Sequence, residues 1–253
     1  RGEPKLANTP AVQIQINDRI AQIILNRPDK LNAINMDLKK GLEAALDQVA
    51  QDPGVRVVVL RGQGKAFCAG IDLKERAGKS PGQIMRERER VIRRCYSTLA
   101  GLAKPVIAAV NGPALGGGAE LILACDMRLA APGASFGQSE IRWGMIPSCG
   151  ACQRLRLLAG VGMAKELIMS GRTISAAEAL RAGIYNRLVE EADLMGDTLE
   201  LAGSIADNSP VAVRQAKKVL DMGSDIAAAL DYEFEASKEC FFAGQAMKGA
   251  KTF

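Results

Sequence analysis

The 253 residues are 48% hydrophobic and 24% charged, which fits a globular chain long enough for a large buried core and excludes a disordered or fibrous one. No apolar run approaches the roughly 20 residues that a membrane-spanning helix needs, and a net charge of +5 on alternating basic and acidic residues, with three Tyr and one Trp, argues against a nucleic-acid surface. There is no histidine, so neither a Ser-His-Asp nor a Cys-His nucleophile can be assembled, and proton transfer falls to carboxylates, Lys, Tyr or Cys.

Along the chain, residues 11–17 and 20–25 alternate apolar and polar side chains around Asn17 and Asp18, which predicts a hairpin. Leu38, Leu42, Ala45, Leu46 and Val49 recur at helical spacing over 36–51, with Asn35 as the cap and Pro53-Gly54 as the stop. Val55 to Leu60 is an unbroken apolar, β-branched run of the kind buried on both faces. The pattern then repeats as a charged helix over 83–99, a strand over 105–110, a short helix from Gly117 and a strand over 127–130. Beyond Arg154 helices dominate, at 161–170, 175–182, 193–207, 210–221 and 225–243, with one strand over 185–189. The expected fold class is α/β, with a core over 1–192 and a helical region over 193–253. Neither a low-complexity linker nor an internal repeat separates the two. The charge alternation from Arg86 to Arg90 reads as a solvated helix face, and Phe234, Phe241 and Phe242 read as a subunit contact.

Three stretches can carry chemistry. Asn111 to Glu120 contains Gly116-Gly117-Gly118 between a buried strand and an apolar helix. Glycine there allows close backbone approach to a ligand, and the first N–H groups of a helix have no internal partner. Close packing of helix on strand explains the same run equally well. No GxxxxGK[ST] occurs, and these glycines do not make GxGxxG with an acidic residue at the right distance. Glu120 lies one turn into that helix on an otherwise apolar segment, so it is a buried carboxylate that needs a proton or a partner. Glu140, in Ser135 to Ile141, is a second carboxylate, and two glutamates in unequal surroundings can divide acid and base roles. Gly64 to Leu73 is a turn-rich loop directly after a strand, where ligand sites commonly form.

Lys65-Ala66-Phe67-Cys68-Ala69-Gly70-Ile71-Asp72-Leu73, Asn111-Gly112 with Leu115 to Glu120, and Phe136-Gly137-Gln138-Ser139-Glu140 with Ile146-Pro147 are ordered and spaced as in the crotonase (enoyl-CoA hydratase/isomerase) superfamily. The resemblance runs from Leu25-Asn26-Arg27-Pro28 through Pro210 into the last helix. It implies a spiral of ββα units with a helical C-terminal region that forms trimers, usually paired as hexamers. It implies an oxyanion hole from the backbone N–H groups of Ile71 and Gly117 around a thioester carbonyl. Ala69, with Ile71 and Leu73 nearby, would contact coenzyme A, and Lys30 and Lys65 would lie near its phosphates. Glu120 and Glu140 match both glutamates of the hydratases, so the implied reaction is addition of water to a 2-enoyl-CoA, with Glu120 activating the water and Glu140 protonating C2. The substrate supplies the coenzyme A, and no further cofactor or metal is expected.

One departure stands beside this match. Hydratases commonly carry Gly-Ala-Gly-Gly-Thr after Ile-Pro to hold the water, whereas this chain has Ser148-Cys149-Gly150-Ala151-Cys152. The CxxC there has no second pair and no histidine, so zinc is not expected. The rival readings are double-bond isomerisation, thioester hydrolysis and a non-catalytic acyl-CoA-binding subunit. A dinucleotide oxidoreductase fits less well. The six scattered cysteines fit reduced thiols, hence the cytoplasm or an organelle matrix, mitochondrial in a eukaryote.

Overall fold

The N-terminal alternation forms a hairpin. β1 (Val12–Asn17) pairs antiparallel with β2 (Ile20–Leu25), with Val12 opposite Leu25 and Asp18 in the left-handed region at φ 54°. α1 (Met36–Gln51) starts at Asn35, whose Oδ1 accepts from the Leu38 N–H at 2.9 Å, and it buries the five apolar residues that the helical spacing picks out. β3 (Val57–Gly62) starts later than its apolar run, because the Val55 N–H closes a turn onto the Asp52 carbonyl. The structure, a computed structural model, describes residues 10–76, 78–87, 89, 93–222, 230, 232–233 and 235–239. Phe234, Phe241 and Phe242, Arg88 and Arg90 of the charged stretch, and most of the helix expected over 225–243 lie outside the described residues.

The charged helix expected over 83–99 is found as α2 (Pro81–Glu87) and α3 (Arg93–Ala100). β4 (Val106–Val110), the two-residue β5 (Ala114–Leu115), α4 (Gly117–Ala124), β6 (Met127–Ala130) and β7 (Ser135–Gly137) follow. α5 (Ala151–Ser170) begins well before the expected 161 and turns at Gly160, φ 76°. β8 (Thr173–Ser175), α6 (Ala176–Arg181), β9 (Arg187–Leu188), α7 (Leu194–Ala206) and α8 (Pro210–Leu220) complete the described elements.

The main sheet has the order β1-β2-β3-β4-β6-β9, parallel from β2 onward. Val58, Leu60, Val106, Ala108 and Val110 enter the core shared with α1, α3 and α4, while Val57, Val59, Ile107 and Ala109 pack against Leu194, Ala202 and Ala206 of α7. Burial on both faces is why β3 and β4 read as unbroken apolar runs. Each buried Val, Leu or Ile side chain among them contributes on the order of 1.5–3 kcal/mol of transfer free energy. A second sheet, β5-β7-β8, stands beyond the carboxyl ends of the parallel strands. Its two- and three-residue strands are too short to show any period in the sequence. Among the described residues no helix is long and apolar enough to cross a membrane.

Candidate active site

The loop after β3 is held on both sides. The Ile34 N–H donates to the Gly70 carbonyl at 2.7 Å and the Asp72 N–H to the Ile34 carbonyl at 3.1 Å, so Ile34 and Ile71 form a parallel bridge. On the other side the Cys68 N–H donates to the Pro113 carbonyl at 3.1 Å and the Leu115 N–H to the Cys68 carbonyl at 3.0 Å. In a parallel bridge the bonded residues flank their partner, so the N–H of Ile71 itself faces away from Ile34. Asn32, fully buried with φ 55°, donates its amide to the carbonyls of Gln63, Ala66 and Phe67 at 3.0, 2.9 and 3.1 Å. Both terminal nitrogens of Arg27 reach Asp72 Oδ2 at 3.1 Å.

The three glycines divide the two explanations that the sequence leaves open. Gly116 has φ +50° and forms the N-cap of α4, a conformation that side chains with a Cβ adopt at a cost. Gly118 is a packing glycine, because an added Cβ would collide with the Cys68 carbonyl oxygen and lie 2.7 Å from the Cys68 Cβ. Helix α4 therefore starts in direct contact with the loop. An added Cβ at Gly70 would lie 2.8 Å from the Leu115 oxygen and 3.5 Å from the Gly117 nitrogen. Among the described residues neither the Ile71 nor the Gly117 N–H donates to a backbone carbonyl. The buried Tyr96 hydroxyl donates to the Gly117 carbonyl at 2.8 Å. Burial, reinforced by the Cys149 and Glu120 side chains, pushes its pKa well above that of an ordinary phenol, so it stays a neutral donor.

Glu120 is 2% exposed, and its Oε1 accepts from the Cys149 N–H at 2.7 Å and the Ala151 N–H at 3.5 Å. Gly150, the N-cap of α5, has no side chain to offer, and the carboxylate reaches the first N–H of that helix from α4. Glu140 opens a 3-10 turn, Glu140–Trp143, and its Oε1 lies 3.2 Å from where a Gly116 Cβ would stand. The half-buried Cys152 thiol senses both carboxylates, since its pKa is raised first by burial and then by Glu120 and Glu140. Glu140 therefore meets the N-cap of α4, the helix that carries Glu120 one turn further on, although the two glutamates are far apart in sequence.

Ala69 and Ile71 are half-buried, while Leu73 is half-exposed and Lys30 and Lys65 are exposed. Gly64 touches Pro28, which brings the turns that carry Lys30 and Lys65 side by side. Ser148 is exposed, whereas its neighbour Cys149 turns its N–H inward to Glu120. Sequence reasoning misses Tyr96, Asn32 and the Cys149 amide. The first two are polar residues in ordinary-looking segments, and the third has no side-chain signature. Among the described residues no group of three or more His, Cys, Asp or Glu side chains could hold a metal ion.

A parallel-stranded α/β scaffold with a buried carboxylate and two backbone N–H groups that, among the described residues, donate to no backbone carbonyl has groups that can move protons beside a carbonyl without histidine. Residues 15–252 match the enoyl-CoA hydratase/isomerase family model. The chain is 42% identical over 234 residues to a short-chain-enoyl-CoA hydratase of Clostridium acetobutylicum, covering 91% of this chain and 89% of the relative. It is 36% identical to a crotonyl-CoA hydratase of Syntrophomonas wolfei, covering 95% and 93%. A crystal structure of an enoyl-CoA hydratase from Bacillus anthracis superposes with a TM-score of 0.93 at 40% identity, covering 96% of this chain and 95% of that one. The chain belongs to the enoyl-CoA hydratase/isomerase family, and its α/β fold is the crotonase fold.

Proposed function

We propose that this chain adds water across the C2=C3 bond of a 2-enoyl-CoA thioester to give a 3-hydroxyacyl-CoA, with Glu120 and Glu140 as the proton-transfer pair. The observation that carries this reading is the buried Glu120 carboxylate, fixed by the Cys149 N–H at 2.7 Å on the helix whose N-cap, Gly116, stands against Glu140 Oε1. The Ile71 and Gly117 N–H groups receive the thioester oxygen, which makes C3 electrophilic and stabilises the enolate. Water attacks C3 as Glu120 accepts its proton, and Glu140 delivers a proton to C2. Ala69, Ile71 and Leu73 line the coenzyme A side, Lys30 and Lys65 face its phosphates, and Ser148 stands in the loop over the water. No cofactor beyond the substrate's own coenzyme A enters the reaction.

Residues 1–192 form the catalytic core in this reading, and 193–253 contribute subunit contacts in addition to the face of α7 that covers the sheet. A homotrimer or homohexamer is supported by exposed Trp143, Ile146, Leu157, Val161 and Met169. The five described cysteines are free, in keeping with the cytoplasm or an organelle matrix.

The test is loss of the conjugated-thioester absorbance of crotonyl-CoA, with mass spectrometry for one added water. Glu120→Gln and Glu140→Gln keep the side-chain shape and are expected to lower kcat by about a hundredfold or more. A near-normal rate in either variant refutes the two-carboxylate assignment.

A further inference from the structure

The Cys149 amide that holds Glu120 belongs to a loop with an anchor of its own. Arg154, on the first turn of α5, donates Nη1 to the Cys149 carbonyl at 2.8 Å. Its guanidinium approaches Gly150 through Nη1, with Cζ 2.9 Å from where an added Cβ would stand, and Gly150 has φ +104°. A side chain on residue 150 and this arginine cannot occupy the same place, so the glycine and the arginine form one clamp. The clamp closes a short chain of contacts from the Arg154 guanidinium to the Cys149 carbonyl, across that residue, and from the Cys149 N–H to Glu120 Oε1.

We infer that Arg154 is a positioning residue for the hydration step, holding Cys149 so that its N–H fixes the Glu120 carboxylate against the water; this inference rests on the hydratase reading. Charge-assisted bonds to a carbonyl are among the stronger ones a side chain can make, and the peptide it grips has no secondary-structure ladder of its own. Without the arginine, the Cys149 carbonyl loses its charged donor while the N–H of the same residue still carries Glu120, and a carboxylate displaced by about 1 Å loses rate steeply. The bond of the arginine is to the backbone that carries Glu120, so its removal is expected to act on the chemical step and leave substrate binding nearly intact.

The other side of Arg154 lines a cavity of about 800 Å³ between α4, α5 and α8, with Leu123, Leu157, Lys217 and Asp221 among its walls. That opening makes chemical rescue feasible. In the purified full chain, Arg154→Met is expected to lower kcat for crotonyl-CoA about tenfold or more while KM changes by less than about twofold. Arg154→Lys, which keeps the positive charge without the planar guanidinium, should lie between that variant and the wild type. Low millimolar guanidinium should raise kcat of Arg154→Ala severalfold and leave the wild type unchanged. A purely structural role predicts instead parallel losses in thermal stability, kcat and KM with no rescue, and that pattern overturns the inference, as does a kcat within about twofold of wild type in Arg154→Met.

Amide hydrogen exchange gives a readout that needs no substrate. The Cys149 N–H should exchange about tenfold faster or more in Arg154→Met and in Arg154→Lys by an intermediate factor. Unchanged exchange in both variants sinks the proposal even where activity falls. If the wild type itself fails to hydrate crotonyl-CoA, the hydratase reading falls, and the exchange measurement still decides whether Arg154 holds the loop.

Discussion

Gly118→Ala places one methyl group where helix and loop already touch. The new Cβ would collide with the Cys68 carbonyl oxygen and lie 2.7 Å from the Cys68 Cβ and 2.8 Å from its carbonyl carbon. Carbon atoms settle at about 3.5–4.0 Å, so α4 and the loop must separate by about 1 Å. Cys68 cannot swing aside alone, because its N–H and carbonyl are bonded to Pro113 and Leu115. The separation therefore moves Gly117 relative to Ile71, the pair assigned to the thioester oxygen. Overpacking of this kind costs about 1–3 kcal/mol of stability, and a 1 Å misplacement at the reacting centre costs about a hundredfold in rate. The assay is crotonyl-CoA hydration followed by absorbance, beside a thermal melt. Gly196→Ala is the control, since nothing lies within 4 Å of its added Cβ in α7, and it should keep full activity and gain up to about 1 kcal/mol. Gly118→Ala with kcat within about threefold of wild type and an unshifted melt would refute the close-contact account of this site.

Two further outcomes follow from single contacts. Asn35→Ala removes the acceptor of the Leu38 N–H at the start of α1 and should lower stability by about 1 kcal/mol, read in a urea titration with unchanged slope; a midpoint that does not move contradicts the capping role. Asp221, at the C-terminal cap of α8, has its pKa raised by burial and then by Asp126. A carboxyl that holds its proton more tightly when folded favours the folded state fully below its unfolded pKa, and this contribution is lost as pH rises through the folded one. Asp221→Asn should therefore melt higher than wild type at neutral pH, by about 0.3–1 kcal/mol for removing a negative charge from a helix C-terminus, with the gap closing as pH falls toward 4, roughly the unperturbed carboxylate value. A gap that persists in acid contradicts the assignment.

Much of the scaffold was legible because its signals are local. The alternation around Asn17-Asp18 yields the hairpin, the spacing from Leu38 to Val49 yields α1 together with its Asn35 cap, and the apolar runs of β3 and β4 reflect burial on both faces. Glu120 stood out as a carboxylate on an apolar helix, and it is buried. Elements whose stability comes from partners were not legible. β5, β7 and β8 are held by one another, and α5 exposes Leu157 and Val161 on either side of the turn at Gly160, which blurs its helical period.

The sequence by itself determined which side chains are available for chemistry. It has two carboxylates in distinctive surroundings, a glycine run at a helix start and no histidine, which leaves proton transfer to carboxylates, Lys, Tyr or Cys. It could not say whether the glycines serve a ligand or packing, and the tertiary structure divides them, with Gly116 turning the chain and Gly118 lying on Cys68. Nor could it show that Glu140 meets the start of the helix that carries Glu120, or that the Cys149 amide and Arg154 stand behind Glu120. Those relations depend on where backbone groups point once distant segments pack, and a backbone N–H has the same formula at every residue but proline.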